Sequence, residues 1–270
     1  MNVSLLQQRA AALLQLHDRS RILVLANIWD VASALAVEAA GFPAIATASA
    51  GISASLGYRD GEQIPRDQML QVVARIARAV RVPVTADLEG GYGDPAGTVA
   101  AALAAGAVGM NLEDGSGGEL AIIDEQASKI RAARATADRA GVPFVINART
   151  DVYSRPGGEE RFAQAVERAR AYRAAGADCI FVPGVRDADT IGRLAAAIEG
   201  PLNVLAGAGS PDVATLFRLG VARVSTGPGL MRTALSAARR AAEELRDHGT
   251  FAFAEGNITG AELDRLLARE

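Results

Sequence analysis

The sequence predicts one (β/α)8 barrel, an α/β fold, with extra helices at both ends. Three observations predict it. Eight short runs rich in Val, Ile and Ala alternate with longer stretches rich in Ala, Arg and Glu. The runs are continuously apolar and not alternating, as parallel strands covered on both faces require. An Ala-Gly joint recurs before strands, at Ala40-Gly41, Ala105-Gly106, Ala140-Gly141 and Ala175-Gly176. Each such joint reads as a helix C-cap turning into the next strand. The alternation also admits a doubly wound open sheet. The length, 270 residues, suits a single barrel of ~250 residues.

Taken in order, residues 1–20 read as an amphipathic N-terminal helix. The strands are expected at 22–26, 43–47, 83–88, 107–112, 143–148, 178–182, 203–206 and 222–225. Asp94-Pro95 pairs an N-cap with proline at the first helical position, and Ser210-Pro211-Asp212 repeats the device. From about residue 228 the chain reads as C-terminal helices. No linker or low-complexity segment interrupts it, so residues 1–270 are read as one domain.

Composition excludes several functions. Half the residues are apolar and 22% are charged, which is a globular balance. Aromatics are 4% and the net charge is −3, so no nucleic-acid partner is expected. The longest apolar stretch, around 99–110, is too short for a membrane span and contains Gly106 and Gly109. The N-terminus lacks an export signal, and a cytoplasmic setting is expected. Cys179 is the only cysteine, so no internal disulfide forms. Within an apolar strand it reads as a buried, inert thiol. His17 and His248 fall in terminal helices, which argues against His-based chemistry. Lys129, the one lysine, falls in a helix of the outer ring and not on a strand where a Schiff base needs it.

In a barrel the chemistry sits where the strands end. Strand one ends in Asn27, Trp29 and Asp30, and strand two leads through Ser49 to Tyr58, Arg59 and Asp60. Strand three ends in Asp87, Glu89 and Tyr92, strand four in Glu113 and Asp114, and strand five in Asn147, Arg149 and Asp151. Asp60, Asp87, Glu89 and Glu113 gather where strands two to four open. Neighbouring carboxylates repel unless a cation sits among them. An all-oxygen set suits Mg²⁺ or Mn²⁺ and not zinc. Taken singly, each acid reads better as a helix cap or an ion pair; Asp87 and Glu113 together, on adjacent strands, favour the metal. Arg149 would hold a substrate carboxylate or phosphonate with its fork, or else pair with Asp151 or Glu113. Ser49 and the following backbone N–H groups would bind an oxyanion. Gly91-Tyr92-Gly93-Asp94-Pro95-Ala96 matches a dinucleotide-binding pattern, but Asp87 and Glu89 directly before it would repel a pyrophosphate.

These residues resemble the isocitrate lyase/phosphoenolpyruvate mutase superfamily. The similarity runs through Thr85-Ala86-Asp87-Leu88-Glu89-Gly90-Gly91-Tyr92-Gly93-Asp94. It extends to Asn27-Ile28-Trp29-Asp30, the stretch from Ser49 to Asp60, Asn111-Leu112-Glu113-Asp114 and Asn147-Ala148-Arg149-Thr150-Asp151. The resemblance implies a barrel whose last helix is exchanged between subunits of a homodimer or homotetramer. It implies Mg²⁺ or Mn²⁺ held by Asp87, with Asp60, Glu89 and Glu113 holding its waters. It places the 2-oxo-carboxylate on Ser49, Ala50 and Gly51, with Trp29 and Tyr92 beside the substrate and Arg149 on its carboxylate or phosphonate. Asp60, Glu113 and Arg149 would take part in catalysis. The implied reaction is C–C cleavage of a small 2-oxo or 2-hydroxy acid through an enolate, or the corresponding P–C chemistry. The alternative is a barrel that binds such an acid without turnover. One departure matters. The lyases carry a Cys-containing loop after strand four, and the phosphonopyruvate enzymes carry a longer loop with a lysine. Here Gly115-Ser116-Gly117-Gly118-Glu119-Leu120 offers only Ser116 and Glu119. Decarboxylation, which can take its proton from water, asks least of such a loop.

Overall fold

The computed structural model describes residues 2–116 and 118–268; Gly117 and the side chain of Ser116 fall outside the description. Helix α1 (Val3–Gln15) precedes β1 (Leu23–Leu25) and β2 (Asn27–Ile28). The chain continues through α2 (Val31–Ala39), β3 (Ile45–Thr47), α3 (Ser49–Ser55), α4 (Arg66–Ala79), β4 (Val84–Asp87), α5 (Pro95–Ala105) and β5 (Gly109–Glu113). A short antiparallel ribbon follows, β6 (Gly115–Ser116) and β7 (Glu119–Leu120). Then come α6 (Ile123–Arg139), β8 (Val145–Arg149), α7 (Glu160–Ala174), β9 (Cys179–Val182), α8 (Ala188–Ala197), β10 (Leu202–Leu205), α9 (Val213–Arg218), β11 (Arg223–Ser225), α10 (Gly229–Asp247) and α11 (Gly260–Leu267).

All eight expected strands form, and the main sheet is parallel throughout. The first run forms β1, and past Ala26 the chain adds a further short strand, β2. Strand β1 pairs with β11, and β2 pairs with β3, so the nearly closed barrel has nine strands by pairing against eight sequence runs. Asn27 stitches this seam. Its Oδ1 accepts from the N–H groups of Thr226 (2.9 Å) and Gly227 (3.0 Å), and its Nδ2 donates to Thr47 O at 2.8 Å.

Register stacks the polar side chains in layers. Asp87 pairs with Asn111, Asn111 with Asn147, and Asn147 with Cys179; one step of two residues higher, Glu113 pairs with Arg149 and Arg149 with Phe181. A strand repeats its facing every second residue, so Asn111 shares a face with Glu113, and Asn147 with Arg149. The barrel core is therefore more polar than the apolar runs suggest. Asn111, Asn147, Asn203 and Arg223 are all buried.

Helix α1 packs its apolar face (Leu6, Ala10, Leu13) into the core. Gly109 makes room for it. A Cβ there would lie 2.9 Å from Leu13 Cδ2 and 3.0 Å from both Thr85 Oγ1 and Val145 O. Gly109→Ala is expected to cost roughly 1–3 kcal/mol through overpacking, measured by chemical denaturation. His17 follows α1 and is buried; its Nδ1 donates to Leu13 O at 2.8 Å. That leaves Nε2 to accept from Arg223 Nη1 at 3.3 Å. Burial and the Arg223 charge push His17 down to about 4, so it is a neutral structural partner. Cys179 is buried, and burial pushes its thiol up to about 12.

Among the described residues no helix is long and apolar enough to cross a membrane. Helix α10 buries only Met231 and leaves Leu235 and Leu245 exposed. No exchange of a terminal helix is seen in this single chain.

Candidate active site

The polar layers surface at the C-terminal ends of β4, β5 and β8. Asp87 closes β4. Its Oδ2 accepts from Ser49 Oγ (2.8 Å) and Ser49 N (3.1 Å), and its Oδ1 accepts from Asn111 Nδ2 (3.1 Å). Asn111 is oriented in turn, because its Oδ1 accepts from Asn147 Nδ2 at 2.8 Å. Asp60 stands beside this group, with its Oδ1 3.2 Å from Ser49 Oγ.

Glu113 ends β5 and meets Arg149 across the ladder, Oε2 to Nη1 at 2.6 Å. Arg149 Nε donates to Asp151 at 2.8 Å, and the guanidinium lies 5.8 Å from the Phe181 ring centroid. Two of its nitrogens are thus taken by acids, and Nη2 keeps no partner among the described residues. Although burial opposes it, the carboxylates of Glu113, Asp151 and Asp87 hold this guanidinium above its ordinary pKa. Beneath it, Asp114 accepts from Asp151 N (2.9 Å), Arg168 Nη1 (2.9 Å) and Tyr172 OH (2.7 Å).

Two loops are clamped over the site by residues in the left-handed region. Glu62 (φ 57°), Glu89 (φ 52°) and Tyr92 (φ 55°) are its non-glycine members among the described residues. Glu62 N donates to Glu89 Oε2, and Tyr92 N donates to Glu62 Oε1 at 2.7 Å. Such conformations cost of order 1–3 kcal/mol each and collect at functional sites. The nearby glycine pattern has a local purpose: Asp94 accepts from Gly97 N at 2.9 Å and caps α5.

A cavity of about 450 Å³ opens here, lined among others by Glu62, Glu89, Glu113, Arg149, Asp151 and Lys129. Asp87, Ser49 and Asp60 form the hydrogen-bonded group next to it. Trp29, Ala50, Gly51 and Tyr92 are not among the lining residues. Trp29 packs against Gly51, where a Cβ would stand 2.8 Å from Trp29 Cβ. The Gly51 N–H bonds to Ala48 O at 3.0 Å. Tyr92 packs on the core, and its hydroxyl is buried with no hydrogen-bond partner among the described residues. Lys129 lies in a helix as read, but that helix brings it to the cavity wall and not only to the outer ring. The structure adds Glu62 and Asn111 to the site. Asn111 was findable from its two-residue spacing to Glu113, whereas Glu62 depends on how its loop folds back.

The donors fit a hard divalent cation. Glu89 Oε1 is buried with no hydrogen-bond partner among the described residues. Burial, with Asp60, Asp87 and Glu62 adding their charges, pushes Glu89 up to about 7. Burial also raises Glu113 well above the carboxylate range against the pull of Arg149. Burial and the Asp87 charge raise Asp60. Among the described residues no three His, Cys, Asp or Glu side chains converge to ligate one ion directly. Mg²⁺ needs no such cage, since it binds through one or two carboxylates and keeps several waters.

A pH dependence follows. Glu89 is protonated more readily folded than unfolded. Its contribution to the metal-free protein is complete below its ordinary value of 4.5 and is lost as pH rises through about 7. A cation prefers the ionised form, so the rise in Tm on adding Mg²⁺ should grow between about pH 6 and about pH 8. Scanning fluorimetry with and without Mg²⁺ checks this; a gain independent of pH would contradict it.

The family model described as phosphoenolpyruvate phosphomutase matches residues 13–246. The chain belongs to that family. Within the wider superfamily it is 33% identical over 237 residues to an oxaloacetate decarboxylase of Chromohalobacter salexigens, covering 82% of this chain and 80% of that one. A crystal structure of a candidate phosphonomutase from Burkholderia cenocepacia J2315 shares 45% identity at a TM-score of 0.85, covering 87% and 99% of the two chains. A phosphonopyruvate hydrolase solved with oxalate and Mg²⁺ shares 27% identity at a TM-score of 0.84, covering 96% and 94%. The family thus includes both C–C and P–C chemistry on the same barrel.

Proposed function

We propose that this chain is a Mg²⁺- or Mn²⁺-dependent lyase that breaks a C–C bond in a small 2-oxo or 2-hydroxy carboxylic acid through an enolate. The observation that carries the reading is the Asp87 carboxylate, held by Ser49 and Asn111 beside the Glu113–Arg149 pair. The oxalate and Mg²⁺ in the phosphonopyruvate hydrolase structure support the same ligand chemistry. When bound, the metal would act as a Lewis acid on the 2-oxo group and offset developing negative charge.

The chain's own residues divide the remaining work. Asp87 would take the metal directly, and Asp60, Glu89 and Glu113 would accept hydrogen bonds from its waters. Ser49 Oγ would donate to the substrate carboxylate. Arg149, fixed by Glu113 and Asp151, would offer Nη2 to the substrate. The ribbon β6–β7 brings Glu119 but no Cys, Lys or His. A carboxylated substrate whose product enolate takes a proton from water therefore suits it best, as in oxaloacetate decarboxylation. The similarity to a candidate phosphonomutase favours P–C chemistry as the second reading. The free, buried Cys179 suits a reducing cytoplasm. The exposed apolar side chains of the C-terminal helices, Leu235 and Leu245 with Phe251 and Phe253, suit a homodimer or homotetramer.

The test is ¹H and ³¹P NMR of the protein with Mg²⁺ and oxaloacetate, 2-methylisocitrate or phosphonopyruvate. Pyruvate from a carbon acid beyond that formed with Mg²⁺ alone, lost with EDTA and in Asp87→Ala, supports the lyase. Consumption of phosphonopyruvate alone moves the assignment to P–C chemistry. Tight oxalate binding without turnover of any acid leaves a binding protein.

A further inference from the structure

Arg223 stands inside the barrel with no acid paired to it. It lies on β11 and is 1% exposed. Its Nη1 meets His17 Nε2 at 3.3 Å, and its Nη2 donates to Asn111 Oδ1 at 3.4 Å. Its Nε has no hydrogen-bond partner among the described residues. The groups around it carry no compensating charge. His17 is neutral, and burial keeps the nearby Cys179 thiol protonated. A guanidinium cannot shed its own proton to escape the cost. A charge buried without a partner is expensive, and an apolar side chain of similar volume often serves the fold as well. Packing therefore gives no reason for an arginine at this position.

The acid whose charge reaches Arg223 is Asp87, and a single amide joins the two. Asn111 Oδ1 accepts from Arg223 Nη2 and Asn147 Nδ2, while Asn111 Nδ2 donates to Asp87 Oδ1 at 3.1 Å. The guanidinium can only donate, so Asn111 keeps its oxygen inward and its N–H groups toward Asp87. A cation on the oxygen also polarises the amide and strengthens the bond that it donates. Asp60, Glu89 and Glu113 gather with Asp87, and of these four only Glu113 has an ion pair among the described residues. Carboxylates so placed repel. A fixed positive charge beneath them offsets that repulsion, and its burial limits screening by salt.

We infer that Arg223 is a positioning residue of the proposed metal site, the buried counter-charge that acts through Asn111 on Asp87, keeps the acids together without metal and weakens the hold on a divalent cation. This rests on the Mg²⁺ or Mn²⁺ reading of that site. The consequences have opposite signs. A divalent cation binds against the charge of Arg223, whereas an anion bound to that cation is helped by it.

The test is titration of Mn²⁺, followed by electron paramagnetic resonance of the free ion, and then calorimetric titration of oxalate at saturating Mn²⁺. Arg223→Met removes the charge and keeps the bulk, and Asn147 still orients Asn111. This variant should bind Mn²⁺ about tenfold more tightly than the wild-type protein and oxalate about threefold more weakly, as a unit charge acting over a partly screened distance requires. Arg223→Lys should stay near the wild-type protein in both. Damage to packing alone would weaken both ligands together. Mn²⁺ affinity unchanged or lowered in Arg223→Met would overturn the inference, and so would oxalate affinity unchanged or raised. If circular dichroism shows that Arg223→Met does not fold, Arg223→Gln carries the same expectation, since it keeps a donor without the charge. Failure of both to fold would make Arg223 a structural donor and overturn the inference. A wild-type protein that binds no Mn²⁺ would instead refute the metal site itself, and this inference with it.

Discussion

Replacing Asp87 with alanine is expected to reduce Mg²⁺-dependent turnover by about a thousandfold or more. A metal acting as Lewis acid supplies several kcal/mol of transition-state stabilisation, and each 1.36 kcal/mol is about tenfold in rate. Asp87 accepts hydrogen bonds from three donor groups at the strand ends, the backbone and hydroxyl of Ser49 and the Asn111 amide. Its neighbours cannot replace it. Glu113 is committed to Arg149, and Glu89 is tied to the Glu62 loop. The variant should still fold. Removing one carboxylate relieves repulsion on Asp60 and Glu89, which offsets part of the roughly 1–3 kcal/mol lost when buried donors go unsatisfied. Circular dichroism should match the wild-type protein while the Mg²⁺-induced rise in Tm disappears. Full activity in this variant would contradict the site.

The second large effect is on stability. The Asp114 side chain is completely buried, and Arg168 beside it is 12% exposed. It accepts from Asp151 N, Arg168 and Tyr172, while its backbone oxygen accepts from Ala121 N at 2.8 Å at the foot of the ribbon. Asp114→Ala leaves a buried guanidinium without its charge partner, which costs about 3–5 kcal/mol. That is a large share of the ~5–15 kcal/mol that holds a domain together. Asp151 would lose its backbone anchor, and Arg149 one of its two supports. We expect Asp114→Asn to lose less, since it keeps an acceptor and the packing. Urea denaturation measures both; a loss under about 1 kcal/mol for Asp114→Ala would show that the network is not what fixes this corner.

The barrel was legible because burial on both faces writes a parallel strand as an apolar run, as in 143–148 and 178–182. The further strand β2 past Ala26 was not, since it arises from pairing with a different neighbour, β3 where β1 has β11. The acids Asp87, Glu89 and Glu113 were legible from their place at strand ends. The support beneath them was only half legible. Asn111 and Asn147 follow from two-residue spacing, but Arg223 sits inside an otherwise apolar run and meets His17 from the far end of the chain. Lys129 shows a further limit: its helix was evident, but its approach to the cavity depends on where α6 lies against the strand ends.

The central claim is that a divalent cation and this cluster together recognise an enolate-like dianion. Calorimetric titration of oxalate with Mg²⁺ and then with EDTA tests it most directly. The account predicts tight binding only when Mg²⁺ is present, and its loss in Asp87→Ala. Oxalate binding of equal strength in EDTA, or retained in Asp87→Ala, would contradict it.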